Sequence, residues 1–151
     1  MKARGINLLS FDHQRQLPKV KTIDYLMPIW LQPLLGKHNA DDFLYHQDGV
    51  LTECPRANIF IVTEDDKLIT PHQNILEGIT RKKVLEIAQG KYEIEERKVM
   101  LSEALTAKEA FITCTTKDIL PIQTIDGHPI GNGDREISAF SQDSLQKMYW
   151  P

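Results

Sequence analysis

The chain has 151 residues, 41% of them apolar and 26% charged, with a formal net charge of −3. That is the make-up of one folded domain with a core of its own, and the acidic balance, without a basic cluster, gives no support for a nucleic-acid partner. No apolar run approaches the ~20 residues of a membrane span, no secretory signal follows Met1, and Cys54 and Cys114 lack metal-ligand spacing and read as free thiols of a reducing cytoplasm.

Up to Gln16 there is little periodicity, and Leu8–Phe11 reads as an edge strand or as the tail of a preceding unit. Pro18–Ile23 reads as an extended approach with Lys19 and Lys21 on one side. Thr22–Gly36 is apolar over the length of a helix buried nearly all round, with kinks or a break expected at Pro28 and Pro33. After a polar loop, Phe43–His46 and Val50–Glu53 read as strands turning at Gln47-Asp48-Gly49. Asn58–Thr63 is rich in β-branched and aromatic residues; it turns at Glu64–Lys67 into a return strand, Leu68–Thr70, ended by Pro71.

Gly78 precedes a helical pattern that runs to Gln89, with Ile79, Val84, Leu85, Ile87 and Ala88 on its apolar side and Gly90 just past its end. Tyr92–Val99 reads as a strand, and Ser102 as the cap of a short helix through Ala107. Glu109–Thr115 and Ile119–Ile125 are strands, and Asp126-Gly127 turns the second into Pro129-Ile130. A loop at Gly131–Asp134 leads to a final helix with Ile137, Phe140, Leu145 and Met148 on one face.

Two features within residues 51–81 point to chemistry. Glu53 follows the apolar pair Val50–Leu51, as a carboxylate held at a strand end would. The helix start at Gly78-Ile79-Thr80 offers free N–H groups and the positive end of a helix dipole, which suit a phosphate. The five histidines, His13, His38, His46, His72 and His128, are scattered and make no metal site. Tyr25, Trp30, Phe60 and Phe111 read as core.

Six pieces taken in order carry a resemblance: VKTIDYL (20–26), LTECPRANIFIV (51–62), LITP (68–71), ILEGITRKKVLEIA (75–88), EAFITCTTKDILPI (109–122) and IDGHPIGNG (125–133). From about Lys21 to Tyr149 the chain resembles the larger, C-terminal domain of the fold-type IV pyridoxal-phosphate enzymes, the class IV aminotransferases. These include branched-chain and D-amino-acid transaminases and aminodeoxychorismate lyase. The resemblance implies an α+β fold, a barrel-like mixed sheet with outer helices. It implies pyridoxal 5'-phosphate as cofactor, an amino acid and a 2-oxo acid as substrates, and a homodimer.

It also implies roles. Lys21 matches the lysine that forms the Schiff base with the cofactor aldehyde; Lys19 is its nearest rival but lacks the family's flanking residues. Glu53 matches the carboxylate that faces the pyridine nitrogen, with Asn58 behind it. Gly78, Ile79, Thr80 and Thr115 match the phosphate site, and Thr115 with Thr116 the turn that meets the substrate carboxylate. The chain departs from the family at Cys54-Pro55-Arg56-Ala57, where Gly and Ser are usual, and at Lys117, where a small residue is common. Family members carry a further domain before the lysine. Residues 1–20 are therefore expected to be the remnant of such a domain or a linker from it, and residues 21–151 the cofactor-binding domain. The expected activity is amino-group transfer, with elimination by an aminodeoxychorismate lyase as the alternative. A non-catalytic fragment or binding domain is the reading from another class.

Overall fold

The computed structural model describes residues 4–133 and 135–149, so Asp134 of the expected loop lies outside the described residues. The first half runs β1 (Ile6–Asp12), α1 (Leu26–Trp30), α2 (Gln32–Lys37), β2 (Asp42–Gln47), β3 (Val50–Leu51), β4 (Asn58–Val62) and β5 (Leu68–Thr70). The second runs α3 (Ile79–Ala88), β6 (Ile94–Glu96), α4 (Leu101–Leu105), β7 (Glu109–Cys114), β8 (Asp118–Ile125), β9 (His128–Pro129) and α5 (Glu136–Tyr149).

All nine strands join one mixed sheet in the order β3-β2-β1-β8-β7-β4-β5-β6, with β9 beside β8. β1 lies parallel to both β2 and β8, and β5 parallel to β6; the other pairs are antiparallel. The sheet curls until its ends meet. The chain beyond β6 bridges back to β3 at Val50 and Met100, with Leu51 N–H donating to Val99 O (2.8 Å) and Leu101 N–H to Gly49 O (2.7 Å). The α+β, barrel-like expectation with helices outside is what the chain forms.

The apolar run of β4 explains the layering, since all five of its residues are buried. Successive side chains leave a strand on opposite faces, so such a run needs cover on both. Ile59 and Ile61 enter an inner core with Leu8, Leu44, Leu51, Ile112 and Ile122. Phe60 and Val62 enter an outer core with Phe111 of β7 and with Val84, Ala88, Ile137 and Leu145 of the covering helices. Register sets Phe60 opposite Phe111, and their rings stack at 5.1 Å. Such a pair adds about 0.5–1.5 kcal/mol to what burial alone gives.

Several expectations are corrected. Leu8–Phe11 is part of an inner strand, not an edge, because β1 has a neighbour on each side. Thr22–Gly36 breaks into two short helices, as the prolines required, with Pro33 in the first turn of α2, where its missing N–H goes unused. Neither helix contains a buried residue, however: Ile23, Leu26, Ile29 and Trp30 face outward, with Trp30 71% exposed. Trp30 is thus no core residue, and Tyr25 is only half-buried. The cap of α4 is Met100, whose N–H donates to Glu103 Oε1 (3.2 Å); Ser102 lies inside the helix. Tyr92–Val99 contributes only the three residues of β6 to regular pairing.

Candidate functional site

A cavity of about 360 Å³ opens where the loops at one end of the sheet converge. Lys21, Glu53, Asn58, Gly78, Ile79, Thr80, Thr115 and Thr116 all line it, together with Arg15, Asp24, Tyr25 and Arg56. Lys19 and the five histidines do not.

Glu53 stands just past β3, where Tyr45 N–H donates to its backbone carbonyl (2.8 Å). The residue is 4% exposed, and both of its carboxylate oxygens are engaged. Oε1 accepts from Arg15 Nε (2.9 Å) and Oε2 from Leu76 N–H (2.9 Å). Burial pushes the carboxyl above the usual carboxylate range, while the Leu76 N–H and the Arg15 guanidinium pull it down. Donors on both oxygens match the ionised form. The site therefore contains a buried, fixed negative charge.

Asn58 opens β4 and clips the opposite loop. Its Nδ2 donates to Leu76 O (2.7 Å), and Gly78 N–H donates to its Oδ1 (3.2 Å). A Cβ built on Gly78 would stand 2.6 Å from Asn58 Oδ1, so glycine lets the backbone come this close. Gly78 caps α3 in an extended conformation with no side-chain cap bond, leaving the first-turn N–H groups open to an anion. Behind the helix, Arg81 is buried and ties α3 to the sheet, donating to Glu96 Oε1 (2.9 Å) and Pro71 O (3.2 Å). Ile79 is 66% exposed and presents an apolar side chain to the cavity, while Thr80 is buried beside it.

Lys21 follows a turn in which Val20 N–H donates to Leu17 O (2.9 Å), and its side chain is exposed. Thr115 and Thr116 form the exposed turn between β7 and β8. The Arg56 guanidinium lies 4.1 Å from the centroid of the Tyr25 ring, a cation–π contact at the cavity wall. Sequence reasoning missed Arg15, which sits 38 positions before its partner Glu53 in a stretch without periodicity. Only an arginine near the end of β1 marked it, and that alone carries no signal.

The donor set suits a phosphorylated, electron-accepting aromatic cofactor. An uncapped helix start, a buried carboxylate and a solvent-reachable amine line one space. A buried hydroxyl without a partner, Thr113 Oγ1, lies in the same wall.

Residues 1–125 match the family model described as amino-transferase class IV. A D-alanine aminotransferase of Bacillus licheniformis is 31% identical over 132 residues, 85% of this chain and 47% of that protein. A branched-chain amino acid aminotransferase from T.th., complexed with N-(5'-phosphopyridoxyl)-L-glutamate, has a TM-score of 0.83 at 25% identity, over 94% of this chain and 51% of that one. A Legionella pneumophila protein provisionally assigned as a 4-amino-4-deoxychorismate lyase has a TM-score of 0.87 over 97% of this chain and 57% of that one. At 24% identity its likeness speaks for the fold alone. The chain spans about half the length of these relatives.

Proposed function

We propose, since the chain belongs to the class IV aminotransferase family, that it forms the cofactor-holding part of an enzyme that moves an amino group between an amino acid and a 2-oxo acid, using pyridoxal 5'-phosphate. The observation that carries this reading is the convergence of Lys21, the buried Glu53 and the open start of α3 on one cavity of about 360 Å³. The phosphopyridoxyl-glutamate held by the branched-chain relative supports the choice of cofactor.

When bound, the cofactor supplies an aldehyde for the substrate amine and a ring that accepts electrons as the α-proton leaves. The chain's own groups do the rest. The first-turn N–H groups of α3, with the Thr80 and Thr115 hydroxyls, hold the phosphate. Glu53 gives the ring nitrogen a fixed counter-charge in a site where little water screens it. Asn58 keeps the 76–78 backbone in place, so it acts on the phosphate through Gly78. Lys21 Nζ holds the cofactor between turnovers, then takes the proton from the substrate α-carbon and returns it. The Thr115–Thr116 turn orients the substrate carboxylate.

The apolar side chains of Ile23, Leu26, Ile29 and Trp30 stand exposed on the segment that includes the cavity-lining Thr22, Asp24 and Tyr25. A preceding domain of the longer protein and a second copy of the chain cover them in this reading, which the greater length of the relatives supports. In this reading residues 1–20 run on from that domain into the sheet, of which β1 is an inner strand. Two unpaired cysteines fit a cytoplasmic enzyme. No helix among the described residues is long and apolar enough to cross a membrane. Elimination, as in aminodeoxychorismate lyase, would use the same lysine and is the second reading.

Incubation with pyridoxal phosphate, reduction with borohydride and peptide mapping test the assignment. Label is expected on Lys21. Label on another lysine with Lys21 clean overturns it. A panel of L- and D-amino acids with 2-oxoglutarate, scored for 2-oxo acid and for elimination products, separates transfer from elimination.

A further inference from the structure

The Arg15 guanidinium reaches three groups. Nε donates to Glu53 Oε1 (2.9 Å), Nη2 to Pro18 O (2.6 Å) and Nη1 to Val20 O (3.2 Å). Its side chain is 15% exposed and that of Glu53 5%, so the pair is sheltered from solvent. The base of the arginine is fixed to the sheet, because His13 N–H continues the β1–β2 ladder by donating to His46 O (3.0 Å).

The two carbonyls that Arg15 grips belong to the turn leading into Lys21. That turn places Leu17 at φ 48°, a left-handed conformation that a leucine adopts only when its surroundings impose it. Lys21 has no hydrogen bond or ion pair of its own among the described residues, so its backbone alone sets where the amine starts from. A flat guanidinium fork meets three acceptors in fixed directions, which a lysine ammonium cannot reproduce.

We propose that Arg15 is a positioning residue that locks the carboxylate side of the site to the amine side, holding Glu53 with one edge and the Lys21 turn with the other. This deepens the functional reading above and rests on it for the roles of Glu53 and Lys21. It makes the segment before Lys21 a working part of the site and not only a lead-in. The charge of Glu53 and the location of Lys21 are then not independent: a change that moves one moves the other.

The test uses Arg15→Lys and Arg15→Met in the 151-residue chain. The first readout needs no cofactor. Hydrogen exchange at the Val20 amide, which reports the Val20–Leu17 turn, is expected to accelerate in both variants while amides of β4 and β7 stay protected. The second readout is the rate and position of borohydride-trapped pyridoxal phosphate across pH. Trapping at Lys21 is expected to slow ~10-fold or more, in line with the cost of a displacement of about 1 Å, and to spread to Lys19. Its pH profile shifts in Arg15→Met, where Glu53 loses its cationic partner, more than in Arg15→Lys.

Unchanged exchange at Val20 together with unchanged trapping at Lys21 overturns the proposal. If Arg15→Met does not fold, Arg15→Lys alone decides. If the parent takes no label at Lys21, the functional reading falls and the anchoring is judged on the exchange data alone.

Discussion

Gly78→Ala probes the closest approach in the site. The backbone of Gly78, at φ −65° and ψ 151°, is open to any residue, so strain plays no part. The new methyl would stand 2.6 Å from Asn58 Oδ1, well inside contact distance. A free side chain would swing away at little cost. Asn58 is 5% exposed and pinned at both ends, to Leu76 O at 2.7 Å and by Gly78 N–H at 3.2 Å. Each such bond contributes about 0.5–1.5 kcal/mol net, so losing both costs about 1–3 kcal/mol. At about 2–4 °C per kcal/mol for a domain of this size, the melting temperature should fall by about 2–12 °C. Gly36→Ala is the matched control: it lies within α2, and a Cβ there meets nothing. It should gain about 0.5–1 kcal/mol from helix propensity and melt about 1–4 °C higher. Thermal melts of the parent and both variants settle the matter, with pyridoxal-phosphate titrations expected to weaken only for Gly78→Ala. If Gly78→Ala melts with the parent, Asn58 yields freely, and its role as a clip on the 76–78 backbone is wrong.

The same geometry sets three further outcomes. Glu53→Gln should retain bound cofactor but slow α-proton exchange by ~10²–10³-fold, as for loss of one fixed electrostatic partner; parent-like exchange of deuterium into the substrate would refute the assignment. Burial pushes the Cys54 thiol well above its ordinary range, whereas Cys114 lies part-exposed at the cavity wall. Iodoacetamide at neutral pH should therefore modify Cys114 in the folded protein and Cys54 only after unfolding, which mass spectrometry of the peptides reads directly. Trp30→Ser should alter the stability of the isolated chain by less than about 0.5 kcal/mol, since the ring is 71% exposed, and should reduce self-association on sedimentation; a large loss of stability would mean that the ring is packed.

What the sequence revealed depended on how local the physical cause was. The β4–β5 hairpin and β7 were legible because their apolar runs are long and their turns carry their own chemistry. β1 was not, since its partners lie far along the chain: Leu8 pairs with Asp42 on one side and Ile125 on the other. Apolar composition flagged residues 22–36 as helical but could not say what they face, and the two short helices turn that surface outward. Motif order brought all eight expected site residues to one cavity. Arg15 escaped because its significance lies in the three acceptors the fold brings to it, two of them backbone carbonyls that any residue could supply.

The ring of strands has its thinnest point where residues 49–51 meet 99–101, joined by two backbone hydrogen bonds. In an open sheet the outermost strand frays first, having one neighbour; here each end of the sheet leans on the other, and fraying must begin by unfastening this seam. Glu53 lies two residues beyond Leu51, so the carboxylate is the first part of the cavity to lose its footing when the seam parts. Loss of the site should then precede loss of the fold on heating, and fastening the seam should protect both.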